Sequence, residues 1–200
     1  MRNERPAQSH RRVQSPRDRR RAREPCGTLI GMTIDGWPHD FATLVAARLP
    51  MHMDALRAAM EKPVLLADFA RSGIGPRAVL KQHGLPSDFS GLYCMMDEEP
   101  IYVGISRAVY SRLRQHVFGR THFDASLAYR MAEHDAPHTN TRSGAMNDPA
   151  FAKVFASKLG YLRGLRVATV KIDDPVELYL FEVYAALGLG TSRWNTFRTH

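Results

Sequence analysis

The chain is expected to fold as an α+β protein: a small antiparallel three-stranded sheet flanked by helices, with a helical extension on its N-terminal side. Two short strand-like runs flank a polar loop of hairpin length at residues 91–104, and a further β-branched, alternating run spans 165–172. Helical periodicity fills most of the segments before and between them. Of 200 residues, 44% are apolar and 24% charged, enough to bury a core of useful size.

Residues 1–25 carry nine arginines, three prolines and no apolar periodicity, so a disordered basic tail is expected. Such an arm adds sequence-independent phosphate affinity, or is a solvated tail, or an upstream extension that a start at Met32 would omit. It holds +6 of the net +8, leaving +2 on the other 175 residues. The body is therefore nearly neutral, and any nucleic-acid interface there must be argued residue by residue.

Residues 26–86 read as the helical extension, broken at Pro50 and Pro63, with Met53, Leu56 and Met60 at helical spacing. Val64–Ala70, a Gly73-Ile74-Gly75-Pro76 turn and Arg77–His83 have the order of a helix-turn-helix. The second helix is barely two turns long, stopped by Gly84 and Pro86, so a packing cap for the next domain is preferred. That domain is expected over 87–200. Gly91–Met96 and Ile101–Gly104 flank the Asp97-Glu98-Glu99-Pro100 loop, and Arg107–Val117 follows as a helix. Ala125–Glu133 is a second helix, 134–147 a polar loop, and Asp148-Pro149 starts a helix running to about Tyr161. Leu165–Ile172 is the third strand. Asp174-Pro175 opens the last helix, to about Leu189, with Glu177 placed to complete a capping box.

Several classes are excluded or disfavoured. The longest apolar run, Val176–Leu189, is short for a membrane span and contains Glu177 and Glu182. Cys26 and Cys94 are too few for a disulfide framework or a four-thiolate zinc site. With no charged-then-apolar secretory pattern, a reducing cytoplasm is the expected compartment.

Chemistry concentrates at three places. If the hairpin closes with Met96 opposite Ile101, then Tyr93 faces Gly104, and Leu92, Cys94, Met96, Ile101 and Val103 share one face. Tyr93 and Tyr102 then meet on the other, over Gly91 and Gly104, which leave room for a ligand. Arg112 and His116, four apart, share a helix face and pair a permanent cation with an imidazole able to move a proton. Arg107 and Arg114 read as solvated. Glu182 sits in a helix apolar on most sides, where a carboxylate needs an ion pair, Arg112 being a candidate, or a divalent cation. His122, Asp124, His134, Asp135 and His138 lack tight zinc-ligand spacing.

Gly91-Leu92-Tyr93, then Tyr102-Val103-Gly104, then Arg112-Leu113-Arg114-Gln115-His116, Glu182 on a late helix and Trp194-Asn195 near the end resemble the GIY-YIG nucleases over residues 89–200. Ile105 stands where many members have lysine. The Arg-x-x-x-His pairing is similar to the restriction-enzyme-like branch, and the Val117–Leu165 stretch is longer than in the smallest members. The resemblance implies an endonuclease that hydrolyses DNA phosphodiesters with one divalent metal. Glu182 would ligate Mg²⁺ or Mn²⁺, Tyr93 activate the attacking water, and His116 assist the proton transfer. Tyr102 would orient the water or phosphate, Arg112 stabilise charge on the phosphate, and Asn195 brace the site. The rival expectations are a non-cleaving nucleic-acid-binding module of the same fold and a helix-turn-helix regulator.

Overall fold

The computed structural model describes residues 37–71 and 73–197. The expected basic tail and residues 26–36 lie outside them. The chain enters through an α-helical turn, Phe41–Thr43, capped by Asp40, whose carboxylate accepts from the Thr43 N–H at 2.7 Å. A π-helical stretch, Leu44–Arg48, leads directly into α1, Leu49–Met60. Pro50 therefore does not break the helix as expected. It falls in the first turn of α1, and the wider π-helical turns before it absorb the missing donor.

After Pro63 the chain forms β1, Val64–Leu65, then a 3₁₀ turn, Leu66–Ala70, rather than the expected helix. Val64 pairs with Val167 and Leu65 with Arg166, and the Leu66 N–H donates to the Leu165 carbonyl at 2.8 Å. Cross-strand pairing has overridden a weak helical pattern. Next is α2, Pro76–Gln82, which buries Val79 and Leu80. The strands β2, Gly91–Met96, and β3, Pro100–Ser106, make the hairpin. Helices α3, Val109–Phe118, and α4, Ser126–Asp135, follow. Within the stretch expected as a loop lies α5, Arg142–Asn147, whose cap Thr141 accepts from the Gly144 N–H through its hydroxyl at 3.1 Å. Then come α6, Pro149–Gly164, β4, Arg166–Lys171, α7, Pro175–Gly188, and a 3₁₀ turn, Thr191–Arg193.

The fold is α+β, but the sheet has four strands, not three, in the antiparallel order β1-β4-β2-β3. All six residues of β2 are buried, because both faces of the sheet are covered. On one face Tyr93, Met95 and Val167 pack with Leu113 and Val117 of α3, Leu127 of α4, Phe155 of α6, and Leu66 and Phe69. On the other, Leu92, Cys94, Met96, Val103 and Ala168 pack with Leu49, Met53 and Leu56 of α1 and Phe181 of α7. Each such side chain, fully buried, contributes about 1.5–3 kcal/mol relative to exposure. Residues before the hairpin thus supply an edge strand and part of both cores.

The hairpin register is as expected for Tyr93–Gly104, Cys94–Val103 and Met95–Tyr102, but Met96 pairs with Pro100. Ile101 is the extra residue of a β-bulge, which shortens the loop to Asp97–Glu99. The bulge turns Ile101 off the Leu92–Cys94 face to pack with the Tyr93 side.

Candidate active site

Tyr93 projects from the central strand, and its ring lies over Gly104. A Cβ at Gly104 would collide with the Tyr93 ring and hydroxyl, and one at Gly91 with the Val170 carbonyl. The glycines therefore do not leave room for a ligand. They leave room for Tyr93 and for the neighbouring strand. Tyr93 is only 1% exposed, and its hydroxyl lies 2.7 Å from His116 Nε2. Helix α3 presents His116 one turn after Arg112, fully buried.

Burial, helped by the Arg112 cation, holds the His116 pKa down at about 3, so the imidazole is neutral at physiological pH. Burial, and next Tyr102, pushes the Tyr93 phenol well above its ordinary range, against the pull of Arg112. The pair is thus a neutral phenol and a neutral imidazole sharing one hydrogen bond, whose donor is set by the histidine tautomer. His116 Nδ1 has no partner among the described residues.

Tyr102 completes a three-ring cluster, its centroid 6.2 Å from Tyr93 and 6.1 Å from His116. Burial raises its phenol too, opposed by the cations of Arg130 and Arg112. The Arg112 guanidinium is fixed by Nη1 donating to Gln115 Oε1 at 3.0 Å and the Asp124 carbonyl at 2.9 Å, and by Nη2 donating to Ser126 Oγ at 2.9 Å. It pairs with no carboxylate among the described residues.

Glu182, on α7, is half-buried and likewise has no ion pair among them, so the Arg112–Glu182 alternative is not formed. Burial raises its carboxyl pKa, and its charge acts on both Tyr93 and Tyr102. Helix α7 is less enclosed than expected: Tyr179, Val183 and Leu187 are 61%, 38% and 76% exposed. The least exposed carboxylate among the described residues is instead Glu177, 2% exposed, whose Oε1 accepts from Arg48 Nε at 2.6 Å while Oε2 meets His52 Nε2. Asp174 caps α7 by accepting from the Val176 and Glu177 N–H groups, but the Glu177 side chain leaves for α1, so no reciprocal capping box forms.

Asn195 sits beside the edge strand. Its Oδ1 accepts from the Val103 N–H at 3.0 Å and its Nδ2 donates to the Val103 carbonyl at 2.8 Å, satisfying both edge groups between Tyr102 and Gly104. Arg130 of α4, absent from the sequence reading, reaches the same place by donating through Nη1 to the Trp194 carbonyl. No spacing announced it, because its partner is a backbone atom 64 residues away. Arg114 is not simply solvated: it donates to the Phe69 carbonyl at 3.0 Å and lies 4.4 Å over the Phe118 ring.

The loop histidines and carboxylates have other partners. His122 packs at a tilt against Phe123, His138 Nε2 lies 2.9 Å from the Tyr129 hydroxyl, and Asp135 pairs with Lys158. No three of His, Cys, Asp and Glu gather into a metal-sized group among the described residues. Glu182, a hard carboxylate with no ion pair among the described residues, fits the single-ligand way Mg²⁺ is held, with water and phosphate oxygens making up the shell. Among the described residues no helix is long and apolar enough to cross a membrane.

Comparison with family models, curated proteins and solved structures gives no match.

Proposed function

We propose that this protein is a metal-dependent endonuclease of the GIY-YIG kind, hydrolysing DNA phosphodiester bonds. The reading is carried by one observation: β2, β3, α3 and α7 bring Tyr93, Tyr102, Arg112, His116 and Glu182 into one electrostatic neighbourhood. A stability account has little use for that grouping. One buried and one half-buried phenol, a fixed guanidinium and a half-buried carboxylate with no ion pair among the described residues add little as core, but each suits phosphoryl chemistry.

In this reading the Tyr93 hydroxyl, bonded to His116, is the group that meets the attacking water. This hydroxyl takes the proton of the attacking water as it passes its own to Nε2, so no free phenolate is formed. Before substrate binds, burial and Arg112 both disfavour imidazolium. A phosphate drawn to Arg112 offsets that cation, and the barrier to protonating His116 falls. Arg112 meanwhile stabilises charge developing on the non-bridging oxygens, with Tyr102 orienting the water or the phosphate. Asn195 keeps the Tyr102–Gly104 backbone in place. Glu182 would hold Mg²⁺ or Mn²⁺, which supplies Lewis-acid stabilisation of the phosphate and a more acidic water.

The test is supercoiled plasmid incubated with purified protein and Mg²⁺, Mn²⁺ or EDTA. Nicking with either metal and none in EDTA is expected. Retained binding without nicking in any condition would leave two readings, the non-cleaving module and a nuclease that demands a substrate the plasmid lacks, and a splayed-arm duplex left uncut in Mg²⁺ would favour the module.

A further inference from the structure

Beside the candidate site is an open cleft of about 400 Å³, bounded by the hairpin end, α4, α6 and the turn that precedes Asn195. Its wall owes its shape to the β-bulge, which turns Ile101 into it immediately before Tyr102. Tyr161 of α6 lines the opposite side. The Tyr161 hydroxyl donates to Asp97 Oδ2 at 3.0 Å, fixing a ring that stays 42% exposed. Trp194 closes one end, its carbonyl held by Arg130, whose cation also acts on Tyr102. The next residue, Asn195, is clamped to Val103. The cleft and the candidate site therefore share a rigid wall.

The chemistry of that wall is specific in kind. The Tyr161 ring, held through its hydroxyl, the Trp194 ring, met edge-on by His134, and the Ile101 side chain offer apolar surface. The Arg193 guanidinium lies 5.0 Å over the Trp194 ring, and the Lys158–Asp135 pair supplies one donor and one acceptor at the rim. Apolar faces with polar edges, beside a cation for phosphate, are what a nucleobase presents a need for. In duplex DNA a base is paired and stacked and cannot enter a side cleft without being extruded. Resting on the nuclease reading of the neighbouring site, we infer that the cleft takes the base of an unpaired nucleotide next to the phosphate at that site. The substrate class is then DNA with a single-stranded or branched segment rather than uninterrupted duplex.

The full chain carrying Trp37→Phe leaves Trp194 as its one tryptophan. In EDTA it is titrated with a short thymidine single strand, the abasic strand of equal length and the matched duplex. The single strand should quench Trp194 fluorescence, with the abasic strand binding about tenfold more weakly and the duplex not quenching. In a separate anisotropy measurement on the wild-type background, Tyr161→Phe should keep the preference for bases and Tyr161→Ala should lose it. Equal affinity for the abasic strand, equal quenching by duplex, or no effect of Tyr161→Ala would each overturn the inference. Metal-dependent cleavage of a splayed-arm duplex, run beside the plasmid, reads the nuclease assignment separately. Cleavage of either DNA without base preference would refute the cleft alone, and base preference with neither DNA cleaved would refute the nuclease reading alone.

Discussion

At the scale of single residues, the two glutamates of α7 differ in what they meet: Glu177 has Arg48 and His52 as partners, and Glu182 has no ion pair among the described residues. Glu177 is buried and compensated. Burial pushes its carboxyl up, but Arg48 and His52 together outweigh this and hold the pKa below the ordinary 4.5. As pH falls, the unfolded chain therefore protonates first, so the stability Glu177 contributes is whole above about 4.5 and is lost below it. Glu177→Ala should cost about 3 kcal/mol, the low end for removing one partner of a buried pair. Arg48, its side chain 36% exposed, can still turn to water. Denaturant melts of both proteins from pH 7 to pH 3 measure the cost, and the gap between them should narrow at the acid end. His116 makes a different prediction. With its pKa held near 3, its ring protons should not titrate in an NMR series between pH 5.5 and 8. A midpoint near 6.5 would mean the imidazole is not sealed against Tyr93.

The elements show which sequence signals were decisive. Asp148-Pro149 and Asp174-Pro175 each start a helix, because an Asx cap followed by a proline satisfies or removes the first orphan donors. The hairpin pairing across Tyr93–Gly104 followed from closing the polar loop with Met96 opposite Ile101, a closure the bulge alters only at Met96, and the meeting of the two tyrosines from strand alternation. What failed were features decided by distant partners. Val64–Leu65 became a strand because β4 offered an edge a hundred residues later, and the bulge at Ile101 moved a side chain across the sheet. Gly104 was singled out correctly for the wrong reason. It is small because Tyr93 occupies the space where its Cβ would be. Gly104→Ala should displace that ring, destabilise the fold by about 1–3 kcal/mol and depress nicking well beyond what the melting temperature explains. Thermal melts and plasmid assays on the same preparation separate the two effects.

For the whole molecule, order along the chain was more informative than bulk composition. A net charge of +8 invited a nucleic-acid reading, yet +6 of it lies in residues 1–25. A chain beginning at Gly27 should bind DNA with a shallow salt dependence, since few phosphates are neutralised by a nearly neutral body. A steep slope of log affinity against log salt in that protein would contradict this charge map. The site residues came from five short motifs dispersed over a hundred positions, and the fold gathers His116 against Tyr93 and brings the charges of Arg112 and Glu182 to bear on both Tyr93 and Tyr102. Arg130 and the Trp194 cleft were illegible, because both depend on backbone atoms and a turn rather than on a spacing. The central claim is that Glu182 serves chemistry while its neighbour Glu177 serves the fold. Plasmid nicking by Glu182→Gln in Mg²⁺, measured beside its melting temperature, tests this most directly. Nicking reduced to the EDTA level with an unchanged melting temperature is predicted, whereas retained nicking, or a loss that tracks unfolding, would contradict it.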